Sequence, residues 1–198
     1  MAVAYEVDEE GFRRLLGRRG AFATLFDLWR DWRPASAALP PPSAVDPQAL
    51  RRILPQLMLL DVLAADRWRV RTAGERLREM FDRDLTGREL PDALPEELRS
   101  RAAASYGPST AEGLCWLALA LYVRPGSRRR LHYARMVLPL GQGDGNGARP
   151  VVTRLLVAFH WRVVPPLSLP LWELLESAEL PARRRDVVCR PCVPSPAG

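Results

Sequence analysis

Between residues 22 and 32 the apolar side chains Phe22, Leu25, Phe26, Trp29 and Trp32 recur at spacings of three and four, the period of one helix face. Upstream, Phe12, Leu15 and Leu16 form a shorter cluster, and Gly20 interrupts the pattern. The spacing predicts helix over 8–33, ended by Pro34, and the five prolines of 34–47 predict a loop. Asp46 before Pro47 reads as an N-cap and first helical residue, giving one or two turns that close before Pro55.

From residue 57 the period changes. Leu57–Leu63 is apolar on both faces except at Asp61, and beyond Ala64–Asp66 the residues Trp68, Val70 and Thr72 alternate with Arg67, Arg69 and Arg71. This predicts a hairpin whose first strand is buried on both sides, so a further element must cover its outer face. The 22–32 stripe is the candidate. Gly74 leads into a short helix carrying Leu77, Met80 and Phe81 on one side and ending near Gly87. Pro91, Pro95, Gly107 and Pro108 predict only short helices between 91 and 112. Three strand-length runs follow, at 114–123, 130–140 and 150–161, joined by the turn sequences RPGSRR and GQGDGNGA. A hairpin, several helices and a three-strand meander predict an α+β fold with one antiparallel sheet and helices segregated to one face.

Composition narrows the classes. A chain of 198 residues, 47% hydrophobic, can bury one sizeable core, which predicts a single domain. The acidic start MAVAYEVDEE lacks the features of a signal peptide, and the longest apolar run, LCWLALALYV, is about half of the roughly 20 residues a membrane span needs. The expected location is the cytoplasm, without membrane attachment. Three cysteines, Cys115, Cys189 and Cys192, do not make a disulfide framework and are expected reduced.

All 29 basic residues are arginine, which removes lysine-dependent chemistry: the P-loop, the pyridoxal Schiff base and the protein kinase. The formal charge of +6 raises a nucleic-acid-associated regulator as the alternative function. Against it, the arginine pairs and triplets at 13–14, 18–19, 51–52, 128–130 and 183–185 are dispersed and lack interleaved aromatics.

The front half also carries a set of short motifs. They are Leu28-Trp29-Arg30, Asp46-Pro47, Ile53-Leu54-Pro55, Leu59-Leu60-Asp61-Val62, Ala73-Gly74, and the turn Phe81-Asp82-Arg83-Asp84-Leu85-Thr86-Gly87-Arg88. On these the chain resembles a PAS domain, and more narrowly the small single-domain PAS family common in alpha-proteobacteria. The likeness spans about residues 22–161 and departs from the pattern at 104–116 and beyond 162. It implies a five-stranded antiparallel sheet of order 2-1-5-4-3 whose helices cup one face around a potential ligand cavity. The implied organisation is an N-terminal helical extension and loop (1–45), a PAS-like core (46–162), and a short helix with a disordered tail (163–198).

What the resemblance implies for chemistry is binding rather than catalysis. Met80, Phe81, Leu85 and Trp116 are the candidate cavity residues, with Arg88 and Tyr106 as their polar companions. PAS domains that bind haem place a histidine on a cavity-side helix, whereas His132 and His160 fall in strand patterns. Flavin photosensors of this fold carry an Asn-Cys-Arg helix motif, whereas Cys115 stands at a strand start. Neither haem nor flavin is expected. Cys189 and Cys192 form half of a zinc pattern in a tail expected to be disordered, so no metal is expected. Asp82 and Asp84 read as turn and cap residues, and no catalytic set emerges.

The expected activity is signal sensing or protein interaction exercised in trans on a signalling partner, and a small apolar ligand is the candidate occupant of the cavity. Phe22, Leu25, Phe26, Trp29 and Trp32 are the candidate homodimer or partner face, and Leu171, Leu174, Leu175 and Ala178 offer a second amphipathic stretch.

Overall fold

The computed structural model describes residues 4–17, 20–94, 96–123, 130–142, 149–163 and 184–191. Its seven strands are β1 (Ala4–Val7), β2 (Leu57–Ala64), β3 (Arg67–Ala73), β4 (Cys115–Val123), β5 (Arg130–Gln142), β6 (Val151–Val163) and β7 (Arg184–Cys189). They form one sheet in the order β1-β7-β4-β5-β6-β2-β3. All pairings are antiparallel except β1 with β7. The expectation of a five-stranded sheet is therefore corrected. The run β3-β2-β6-β5-β4 keeps the predicted neighbours, but β7 and then β1 extend the sheet past β4.

The apolarity of β4 gives the physical reason for that extension. Cys115 through Leu119 are buried without alternation, so both faces are covered. An open edge beside so apolar a strand would template foreign pairing. The segment at 184–189, expected to lie in a disordered tail, instead closes this edge as β7, with Val187, Val188 and Cys189 buried.

Helices α1 (Glu9–Leu15) and α2 (Ala21–Asp31) split the predicted 8–33 helix at Gly17 and Gly20. In α1 the Asp8 carboxylate accepts from the Gly11 amide at 2.6 Å, with Glu9 and Glu10 in the first turn and Arg13 and Arg14 in the last. Leu25, Phe26 and Trp29 of α2 are fully buried, each contributing about 1.5–3 kcal/mol by leaving water. β4 pairs with β5 no further than Val137, and the carbonyl of Pro139 just beyond accepts from the Trp29 indole at 2.8 Å.

Asp46 caps α3 (Pro47–Leu50), and Pro55 sits in the turn that feeds β2. Gly74 lies so close to this turn that a Cβ there would stand 2.2 Å from the Leu54 carbonyl oxygen, which explains the glycine between β3 and α4 (Glu75–Phe81). α4 stops at Asp82, which adopts the left-handed conformation at φ 55°. The following turn is fixed by the Asp84 carboxylate, which accepts from the Thr86 amide at 2.9 Å, and by exchange of backbone bonds between Val70 and residues Gly87 and Arg88.

After α5 (Leu90–Ala93) comes α6 (Glu96–Glu112), a 17-residue helix with Pro108 inside it. The prediction of only short helices here is overturned. Pro108 removes one helix hydrogen bond, yet α6 packs on β4, β5 and β6 and buries Ala102, Ser105, Tyr106 and Ser109, which holds the helix through the break.

Helices occupy both faces of the sheet, so their segregation to one face holds only for α4–α6. Arg135 of β5 meets Tyr106 and Ser105 of α6, and strand register puts Arg135 on the same face as Trp116. Cys115, one residue away, takes the opposite face and feels Glu9 of α1. The α1–α2 side is thus the far side from α4–α6.

Candidate ligand site

The space between the sheet and helices α4–α6 narrows to a cavity of about 20 Å³, room for about one water molecule. Its apolar wall is Met58 of β2, Phe159 of β6, Met80 and Phe81 of α4, and Leu94 after α5. Its polar wall is Tyr106 of α6 with Tyr133 and Arg135 of β5. Phe81 and Phe159 of the wall meet edge to face at 6.1 Å, and Tyr106 meets Trp68 behind it likewise at 5.6 Å.

Arg135 is the unusual member. It is 4% exposed, its guanidinium lies 4.7 Å from the Tyr106 ring centroid, and it donates to the Arg101 carbonyl at 2.9 Å and to Ser105 Oγ at 2.5 Å. A longer contact of 3.5 Å reaches the Tyr106 hydroxyl, and its Nε has no acceptor. Burial pushes the Tyr106 hydroxyl above its ordinary pKa, and the neighbouring guanidinium only partly opposes that, so the phenol is neutral at physiological pH.

Of the predicted cavity residues, Met80, Phe81 and Tyr106 are brought together here. Leu85 is buried in the turn beyond α4, away from the lining, and Trp116 donates to the Asp186 carboxylate at 3.2 Å at the β4–β7 seam. The Arg88 side chain is exposed, and that residue serves β3 through its backbone carbonyl. Arg135 was not among the candidates. An arginine in a chain with 29 of them draws no notice, and the available signal was its position between Tyr133 and Val137 in a strand buried on both faces.

The N-terminal stripe is spent within the chain: Phe22, Leu25, Phe26 and Trp29 are buried in the common core and Trp32 packs against it. It is not a free face for a second copy, which corrects its reading as an interface. His160 is half-buried and alternates with Phe159, facing away from the cavity, and the side chain of His132 lies outside the described residues. Cys189 is on β7 directly opposite Cys115, both as buried thiols, while Cys192 and the 169–180 stretch lie outside the described residues. Burial pushes the Cys115 thiol well up, Cys189 and Glu9 add to this, and Arg33 opposes it. Among the described residues no group of three or more His, Cys, Asp or Glu is placed to hold a metal ion. No helix among them is long and apolar enough to cross a membrane.

A family model described as the PAS domain matches residues 18–152. The chain belongs to the PAS domain family. No curated protein matches it. The PAS match takes in α2 through β5 and reaches the first residues of β6, so β1, α1 and β7 lie outside the matched span. Membership makes the chain a signal-sensing or interaction module at the level of the domain.

Proposed function

We propose that this PAS chain is a cytoplasmic sensor that acts in trans on a signalling protein, triggered by a small ligand held between α4, α6 and the sheet. The observation that carries the reading is the meeting of Met80, Phe81, Tyr106 and Arg135 at one residual cavity. The present space of about 20 Å³ favours a small ligand over haem or flavin, since sites for drug-sized molecules run to about 300–1,000 Å³. Phe81 is the last residue of α4 and only half-buried, so a ligand that displaces it moves the helix end and the Asp82 turn at the surface. That gives a partner something to read, and the reading assigns the chain no enzymatic step. The narrower affiliation with small alpha-proteobacterial PAS proteins rests on the motif set of the front half.

A homodimer remains part of the proposal, formed by a surface other than the buried α2 stripe. The nucleic-acid alternative gains little from the arginines. Arg67 and Arg69 lie against Glu89, Arg71 and Arg154 against Asp61, and Arg78 against Asp84, which lowers the field available to phosphates.

Mass spectrometry of the purified, undenatured chain tests the reading. The expected spectrum shows a defined oligomer carrying a small mass excess that is lost on denaturation. A bare monomer that is retained on heparin until high salt would instead favour nucleic acid.

A further inference from the structure

This inference rests on the sensing reading and names the chemistry of the ligand. The guanidinium of an arginine is a cation, and that of Arg135 belongs to a residue only 4% exposed. Among the described residues every acceptor it meets is neutral: a backbone carbonyl, a serine hydroxyl and, at long range, a phenol. No carboxylate among the described residues is ion-paired with it, and Tyr106 is held in its neutral form by burial. Neutral dipoles do not offset the desolvation of a guanidinium as a counter-charge would. The Nε–H, which with a terminal N–H makes the side-on fork that fits a carboxylate, is the donor left without an acceptor, and it belongs to a side chain of the cavity wall.

We propose that the cavity binds a monocarboxylate with a short aliphatic or aromatic body, its carboxylate against Arg135 and its body beneath Met80 and Phe81. One negative charge matches the one guanidinium in the described cavity wall. A phosphate dianion would leave surplus charge among Met58, Leu94 and Phe159. The existing space does not admit the body of the ligand. Room for it comes from the flexible Met80 side chain and from Phe81, so filling the site displaces the end of α4. Occupancy and the outward signal are the same event.

The test uses the full chain, dialysed, with four probes: phenylacetate, hexanoate, phenylacetamide and chloride, titrated calorimetrically and by thermal melting at constant ionic strength. A carboxylate raises the melting temperature, while the amide of the same shape and chloride at the same concentration do not. Arg135→Met weakens carboxylate binding at least tenfold with an unchanged circular dichroism spectrum. Arg135→Lys, which keeps the charge but not the fork, loses less, and it serves should the methionine variant fail to fold. Equal binding of acid and amide, an equal response to chloride, undiminished binding by Arg135→Met, or no response to any probe overturns the proposal. A neutral compound that co-purifies equally with wild type and Arg135→Met would leave the sensing reading standing while removing the carboxylate.

Discussion

Two arginines lie on opposite sides of the sheet, each over an aromatic ring, and they differ in what answers their charge. The Arg33 side chain is 5% exposed, lies 5.2 Å from the Trp29 ring, and grips both oxygens of Glu9 at 2.5 and 2.9 Å. Arg135 is buried and lies over Tyr106, but its acceptors among the described residues are all uncharged. The first arrangement has its counter-charge within the chain: the Glu9 carboxylate ties α1 to the residues just beyond α2. The second has no carboxylate among the described residues, and it stands in the wall of the cavity between α4, α6 and the sheet. A buried charge with its partner in the chain marks structure, and one without a partner marks a place for something else.

That contrast can be broken experimentally. The largest effect is expected from Glu9→Ala, which takes the two-oxygen carboxylate grip from Arg33 and costs about 3 kcal/mol, near the lower end for a broken buried pair because Glu9 keeps 13% exposure. Urea unfolding measures it, and a loss below about 1 kcal/mol would mean that Glu9 does not neutralise Arg33. Replacing both partners, Glu9→Met with Arg33→Met, should recover most of that loss, because the stranded charge is removed along with its partner. The same unfolding curves decide it.

Arg135→Met is expected to change stability without ligand by no more than about 1 kcal/mol, or to increase it, since it removes a charge that no carboxylate among the described residues neutralises. A loss as large as that of Glu9→Ala would show Arg135 to be as structural as Arg33. The smallest effect is alkaline. Burial raises the Tyr106 pKa, so above its ordinary value the folded state keeps a proton that the unfolded chain releases. The stability contributed by the neutral phenol is fully present below about pH 10 and is lost as pH rises through the folded-state value. Melting temperatures between pH 8 and 11 should fall less steeply in Tyr106→Phe than in wild type, and parallel curves would place the phenol in water.

Much of the central sheet was legible in the sequence because its strands are long, apolar and separated by turns. Leu57–Leu63 and the three runs after residue 113 appear within a residue or two of their predicted places. β7 was not legible: three apolar residues between arginines and a proline carry no period of their own, and the strand exists because β4 needs a partner. β1 has four residues and is half-exposed, too short for alternation to register. α6 was hidden by Pro108, whose local cost is outweighed by packing that only the folded sheet supplies. At the site, Met80, Phe81 and Tyr106 were visible as apolar or aromatic residues on helices. Arg88 drew attention because it ends a recognisable turn, whereas Arg135 sits in mid-strand, where side-chain burial depends on what covers each face.

The parallel pairing of β1 with β7 has a mechanical consequence. Ala4 to Val7 lies in register with Asp186 to Cys189, so tension between the start of one strand and the end of the other acts along the ladder. Its cross-links then bear the load together in shear and do not open one at a time. The two extremities of the described chain are thereby clasped against each other at the rim of the sheet, a geometry that resists pulling from both ends better than peeling from one.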